Sequence, residues 1–538
     1  MIPVPDLLFP DPQEALDGEA LTEMLELAYL GGESAGQLDG VLSRPIFQHS
    51  TWTPEFFVEE LFLEDFVDGC LSVEVEGHTV PINRVYLREV LSRPPIDLDT
   101  ITFRQVILRE LESDARLLVR TRRLYARLYR LLSMFMAWPE RARYDPTVFR
   151  LEILENAREV VDVLVADFSE ARSGLHRLFE CGREIQQSNE YRLLVDLLDY
   201  ENHLAKLTFR LRLGADGKIR DLVLEGLTEN AGNPFYRRPW WRLKERVELL
   251  RRGYDFSRKE VVNRVVGRAF LHIRSWLRPL LQVVGHLAFY LSAVAFKERA
   301  QELGLEVSLA QLTGDQRLEL EQLFNPLLFA QGRPTPNAIA ADAGGSILMI
   351  TGPNSGGKTR LLQAVGLAQL LGQSGFYVPA AEARMPLLEG LFASITERAT
   401  VDQTEGRLGT ELMRIRELFE AASPRSMLIL DELCSGTNPS EAEEIVLMVL
   451  QLIERLQPVA LITTHFLDFS RRLEAERPVA NLRFLQVELD GDQRSTYQFV
   501  PGVAATSLAA NTARRLGVTF EELSQLVDRP ASRRKPRP

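Results

Sequence analysis

Cysteine is almost missing. Cys70, Cys181 and Cys434 are the three thiols of a 538-residue chain, and they stand far apart. That excludes a disulfide scaffold and offers no zinc-ligand spacing, so reduced thiols in a cytoplasmic protein are expected, with Cys434 buried and inert. Long apolar runs are missing as well. None reaches the roughly 18 residues that cross a membrane, and no membrane partner is expected. The first residues, Met1-Ile2-Pro3-Val4-Pro5-Asp6, lack the basic-then-apolar layout of a secretory signal. Net positive charge is absent too: 63 Lys+Arg against 75 Asp+Glu leave −12. This excludes a protein that is basic all over, but not a local patch for phosphates. What is present is ordinary for a globular chain of two to four domains, with 45% hydrophobic and 26% charged residues.

Against that background one stretch carries chemistry. Gly352-Pro353-Asn354-Ser355-Gly356-Gly357-Lys358-Thr359 fits G-x-x-x-x-G-K-[ST]. The apolar run Ile347-Leu348-Met349-Ile350 ahead of it predicts a buried strand, and Arg360-Leu361-Leu362-Gln363-Ala364-Val365 behind it predicts a helix. Glycines let backbone N–H groups wrap a phosphate, because a Cβ would block the approach. The helix start adds its dipole. Lys358 supplies charge to the outer phosphates of a nucleotide, and the Thr359 hydroxyl is placed to ligate Mg²⁺.

A second strand, Met427-Leu428-Ile429-Leu430, ends in Asp431-Glu432, a Walker B pattern. Asp431 is expected to hold the metal through water, and Glu432 to orient or deprotonate an attacking water. A third apolar strand, Val459–Thr464, delivers His465 to the edge where open α/β sheets bind ligands, a position from which it can sense the terminal phosphate.

The rest of the chain reads mostly as helix. Residues 99–200 form long amphipathic helices, and one of them carries Arg116, Arg120, Arg122, Arg123, Arg127 and Arg130 on a solvated face. Leu207–Leu213 alternates, turns at Gly214–Gly217, and returns over Ile219–Leu224 as a small β-ribbon. Leu71–Val75 is strand-like before a Glu76-Gly77 turn. From Arg237 to Arg278 there are 13 Lys/Arg against 4 Asp/Glu. Aromatics lie among them, so this stretch is the candidate nucleic-acid contact, led by Arg237, Arg238, Arg242, Lys244, Arg251 and Arg252. The cluster from Asn325-Pro326 to Pro336 reads as a domain boundary. The expected division is residues 1–98 (no assigned role), 99–335 (helical, with the basic region at about 200–280), 336–528 (α/β) and a basic disordered tail, 529–538.

These motifs together resemble the MutS family. The phosphate loop, Gln373-Ser374-Gly375-Phe376-Tyr377-Val378-Pro379-Ala380 after it, Asp431 through Glu441, Thr463-Thr464-His465 and the closing segment around Pro501-Gly502 and Arg515-Leu516-Gly517 are all similar to that family. Gly436-Thr437-Asn438-Pro439-Ser440-Glu441 looks most like its second branch, which lacks the mismatch-reading domain. The resemblance implies an α/β P-loop (ABC-type) ATPase domain preceded by a mostly α-helical lever and clamp region with a β-ribbon insertion. It also implies ATP and Mg²⁺ as cofactors, Gln373 among the nucleotide-binding residues, and a homodimer in which each nucleotide lies between two subunits. The function implied is an ATP-dependent clamp on duplex or branched DNA, in repair or recombination control. A ribosome- or RNA-remodelling ATPase, and an ATP-binding switch with little hydrolysis, are the alternatives.

The chain also departs from the family. The segment donated across the dimer usually reads Ser-Thr-Phe; here the aligned stretch puts Gly409 at the serine, Thr410 next and Glu411 at the aromatic. A carboxylate near triphosphate repels it, so slow hydrolysis is expected. Phe57-Val58-Glu59 matches the family's mismatch wedge by letters only and is expected to belong to an acidic helix. The small nuclease domain common in the second branch is not found at the carboxyl end, so no nuclease activity is expected.

Overall fold

The computed structural model describes residues 3–14, 16–30, 35–45, 50–136, 146–203, 206–213, 219–228, 258–342, 345–353, 355–395, 406–434, 438–505 and 518–527. The chain divides into two compact units. One comprises Met1–Gln48, Ser72–Glu89 and Thr102–Ala295; the other comprises His49–Leu71, Val90–Ile101 and Phe296–Pro538.

The first unit is helical. Helix Ala115–Met136 buries Leu117, Thr121, Leu124, Tyr125, Leu128, Leu131 and Phe135, the three-to-four spacing of one face. Its arginines stay outside and pair locally: Arg120 with Asp167 at 3.8 Å, Arg123 with Glu76 at 2.9 Å, Arg127 with Glu159 at 2.5 Å. The expectation of a solvated face holds for these three. Further helices run over Pro146–Asp167, His176–Gln187 and Asn189–His203. The ribbon is present as Lys206–Leu213 antiparallel to Ile219–Thr228. Val73–Val75 pairs with His78–Val80 across the Glu76-Gly77 turn.

A polar cluster lies inside this unit. Asp6 is fully buried, and its carboxylate accepts N–H groups from Leu8 at 2.8 Å and Gln13 at 3.1 Å. Arg104, 1% exposed, donates Nε to Leu8 O at 2.9 Å. His286 Nδ1 accepts the Leu7 N–H at 3.2 Å. An accepting nitrogen carries no proton, so the 3.8 Å approach of His286 to Asp6 is not a salt bridge; burial holds the imidazole down at about 3. Burial likewise pushes Asp6 up to about 6 against its two backbone hydrogen bonds and the nearby guanidinium groups.

Long helix Arg258–Glu302 corrects one reading. Its Ile273–Glu302 part is apolar enough by composition to cross a membrane, at mean hydropathy 1.6, yet 89% of that window is buried within the protein. Between Arg278 and Lys297 the run holds no charged residue; only Gln282, His286 and Ser292 interrupt its apolar character.

The second unit holds a six-stranded sheet. Its elements in chain order are β1 (Ile347–Thr351), α1 (Lys358–Gln373), β2 (Gly390–Ser394), α2 (Gly406–Ala421), β3 (Ser426–Leu430), α3 (Pro439–Leu456), β4 (Val459–Thr464), α4 (Leu467–Glu476), β5 (Leu482–Leu489) and β6 (Ser495–Pro501). The strand order is β2-β3-β4-β1-β5-β6. The first five run parallel and β6 antiparallel. β1, β3 and β4 are buried throughout, as continuous apolar runs in a parallel sheet should be. Asn438 caps α3 by accepting the Ser440 N–H, with Pro439 at the first helical position.

The expected boundaries at 98 and 335 do not match these units. Gln311–Thr313, Leu318–Leu323 and Asn337–Ala341 share a four-stranded sheet with Glu382–Pro386, which joins residues 296–342 to the α/β unit. Asn325-Pro326 opens a short 3₁₀ helix, Pro326–Gln331, within it; Pro and Asn marked a turn there, not a domain edge. Residues 50–71 belong to the same unit. Trp52 Nε1 donates to Leu388 O at 3.2 Å, and Phe56 packs on Phe392 at 4.9 Å. The acidic helix expected around Phe57 is instead a 3₁₀ turn at Pro54–Phe56, and Phe57 is fully buried.

Two predictions follow from this packing. A Cβ on Gly366 of α1 would meet Leu61 Cδ2 at 2.5 Å and Ile429 Cδ1 at 2.9 Å. Gly366→Val therefore costs about 1–3 kcal/mol by overpacking in chemical denaturation, and Leu61→Ala in the same chain recovers part of it. For Asp6, the folded pKa of about 6 lies above the 3.8 of the unperturbed group. The folded state keeps a proton that the unfolded chain has already lost, so this group's contribution to stability falls as pH rises between those values. Urea titrations across this window should show that slope in the wild type relative to Asp6→Asn.

Candidate nucleotide site

The carboxyl ends of β1, β2 and β3 converge on one cavity of about 990 Å³. The chain leaves β1 through Gly352 at φ 144° and reaches α1 through Gly357 at φ 89°. A Cβ on Gly352 would also lie 2.7 Å from Val487 Cγ2. Both positions need glycine. Ser355 adopts φ 72° without that freedom, a local cost typical of ligand-gripping loops. Asn354 lies outside the described residues.

Lys358 opens α1 and is 4% exposed. Its Nζ donates to Gly352 O at 3.0 Å and Pro353 O at 3.3 Å, and lies 3.4 Å from Glu432 Oε1. The next residue reaches the other acid: Thr359 Oγ1 donates to Asp431 Oδ2 at 2.6 Å. Thr463 of β4 donates its hydroxyl to Asp431 Oδ1 and accepts the Glu432 N–H at 3.0 Å. Asp431 N donates to Ser394 O of β2 at 2.8 Å. The two acids are thus fixed by three neighbouring strands and the helix start.

Their environments differ. Burial pushes the Asp431 carboxyl above its ordinary range, opposed by the Thr359 and Thr463 hydroxyls. Glu432 is held below its ordinary range, first by His465 and then, against burial, by Lys358. His465 Nδ1 stands 3.5 Å from Glu432 Oε2. Glu432 itself has φ 48° and Cys434 φ 59°, so the turn after β3 stores strain where the chemistry is placed. Cys434 is buried and its thiol is pushed up to about 11 by burial and Glu411, which makes it unreactive, as expected.

The residues fit a magnesium ion. A hydroxyl and a carboxylate oxygen in contact are hard donors, and Mg²⁺ takes one or two carboxylates with water and substrate phosphates rather than a protein cage. Among the described residues no group of three or more His, Cys, Asp or Glu forms such a cage.

Other expected residues fall elsewhere. Gln373 ends α1 fully buried, away from the cavity. Its amide donates to Leu388 O at 2.6 Å and Pro95 O at 3.1 Å, and its Oε1 accepts the Leu388 N–H at 3.0 Å. It braces the unit, whereas the resemblance implied a nucleotide contact for it. Gly409 and Thr410 lie inside α2 rather than in a loop, and Thr410 and Glu411 line the cavity of their own chain. Arg237, Arg238, Arg242, Lys244, Arg251 and Arg252 lie outside the described residues. Sequence reasoning gave no role to Thr463 as the bridge between the acids, or to Ser394, Arg414 and Glu60. A hydroxyl ending an otherwise apolar strand was the available signal for Thr463; the others are joined only by folding.

Comparison with known proteins agrees with this geometry. Residues 348–525 match MutS domain V. The chain is 28% identical over 333 residues to a protein named Endonuclease MutS2 from Streptococcus thermophilus, covering 60% of this chain and 40% of that one. Endonuclease MutS2 of Thermus thermophilus is 28% identical over 319 residues, covering 59% and 40%. That of Pelotomaculum thermopropionicum is 28% identical over 282 residues, covering 52% and 34%. The chain thus carries a MutS domain V and is similar to MutS2 proteins over about 60% of its length. It spans about 40% of the length of the first of these curated relatives. The MutS match begins within β1 and takes in the phosphate loop, both acids and His465.

Thr463→Val keeps the shape of the strand but removes the bridge and leaves the Glu432 N–H unpaired. Turnover of nucleotide should fall by about tenfold to a hundredfold, while equilibrium nucleotide affinity changes little. Single-turnover and binding measurements on the same preparation check this.

Proposed function

We propose that the chain is a MutS-type ATPase that couples ATP binding and hydrolysis to its grip on duplex or branched DNA, in repair or recombination control. The observation that carries this reading is the contact of Thr359 with Asp431 beside a Glu432 held by Lys358 and His465. In this arrangement loop N–H groups and Lys358 receive the phosphates. Thr359 and Asp431 would hold Mg²⁺, which would supply charge neutralisation to the phosphates. Glu432, kept ionised by its neighbours, accepts a proton from water. His465 reports the state of that carboxylate. Phe499 and Tyr497 line another part of the cavity and give an apolar surface for a base. A second copy of the chain completes the site as a homodimer. The basic stretch at 237–278 is the proposed duplex contact, made through phosphates without reading sequence. The relatives are named endonucleases; the activity proposed for this chain is nucleotide hydrolysis coupled to DNA binding, with no nuclease step.

One observation favours a second reading, a nucleotide switch with little turnover. Glu411 places a further carboxylate on the cavity wall, where it opposes a triphosphate.

The test has three parts. Glu432→Gln should keep nucleotide binding and lose about 10²–10⁴-fold in turnover, whereas Lys358→Ala should abolish binding. Wild-type protein that binds nucleotide without releasing phosphate favours the switch. Affinity for duplex and branched DNA should fall with salt, at about 0.9 log units per log salt for each phosphate neutralised. Absence of DNA binding at every salt, with co-sedimentation on ribosomes, moves the reading to RNA remodelling.

A further inference from the structure

Glu60 is 1% exposed, a rare place for a carboxylate unless it is paired. Its Oε2 accepts the Ile395 N–H at 2.9 Å, and its Oε1 accepts a hydrogen bond from the Arg414 guanidinium. Arg414 also donates to Ser394 Oγ at 3.3 Å. Ser394, Ile395 and Arg414 line the same cavity as Lys358, Thr359 and Asp431, and Ser394 O holds the Asp431 N–H at 2.8 Å. One buried carboxylate therefore fixes the end of β2 and a cation on α2 at the side of the cavity that carries the acids.

The Arg414 side chain is 27% exposed, and its planar fork of five donors can keep Glu60 while meeting an oxyanion. Lys358 already donates to two loop carbonyls, so charge from a second wall has a use. Glu411 lies one turn before Arg414 on the cavity-lining face of α2.

We propose that Arg414 is a second cationic contact for the phosphates of the bound nucleotide, positioned by the buried carboxylate of Glu60. The proposal rests on the nucleotide-binding reading above. It gives the segment at residues 50–71 a place in the site: that segment holds the residue that aims the cation.

The experiment measures equilibrium binding of a non-hydrolysable ATP analogue and of ADP to the full chain, with steady-state KM and kcat alongside. Arg414→Gln should weaken the triphosphate about tenfold, the effect of one charge-assisted hydrogen bond. ADP should weaken far less, and KM should rise more than kcat falls. Glu60→Gln should shift the triphosphate-to-diphosphate preference in the same direction, a change that lost stability alone does not produce. The double variant should add nothing beyond Arg414→Gln. If Arg414→Gln does not fold, Arg414→Lys carries the test: an intermediate preference supports the contact and an unchanged one overturns it. Lys358→Ala separates the two levels. If it leaves nucleotide bound, the nucleotide site itself is wrong; if it abolishes binding while Arg414→Gln keeps full preference, only the Arg414 proposal falls.

Discussion

The bond from the Thr359 hydroxyl to the Asp431 carboxylate, 2.6 Å long, is the constraint on which the site depends. Thr359 is fixed by the start of α1 and Asp431 by the end of β3, so the contact exists only if β1 and β3 flank β4 in the right register. The pairing Ile462↔Met349 and Leu430↔Ile462 sets that register. A slip of one residue would turn every side chain to the opposite face and separate the hydroxyl from the acid.

Around that contact the protein spends backbone strain and buried charge. Ser355, Glu432 and Cys434 hold left-handed conformations without being glycine. Asp431 is half-buried with its oxygens taken by two threonines, while a lysine and a histidine hold the carboxyl of Glu432, one residue on, below its ordinary range. Neighbouring carboxylates are thereby pushed apart in acidity, Asp431 upward by burial and Glu432 downward by His465 and Lys358.

Support for the site comes from distant sequence. Glu60, Trp52, Phe56 and Leu61 pack on β2 and α1, and Gln373 fastens the far end of α1 to Leu388 and Pro95. The helical unit keeps its own polar centre of Asp6, Arg104, His286 and Tyr290, where backbone N–H and C=O groups of residues 7 and 8 serve as partners. In both units a short early segment is held by buried polar groups that periodicity cannot reveal.

The sequence alone determined the local chemistry. Glycines before Lys358-Thr359, an acid pair after an apolar strand and a histidine after another are short-range patterns, and their meaning comes from backbone geometry within a few residues. The apolar runs also announced the parallel sheet, and alternation announced the ribbon. Only the tertiary structure decided which side chains meet: Thr463 between the two acids, Glu60 against Arg414, and Gln373 as a brace rather than a ligand. It also moved residues 296–342 and 50–71 into the α/β unit. Such contacts join residues separated by up to several hundred positions, and they are set by strand order and packing, which no window of sequence contains.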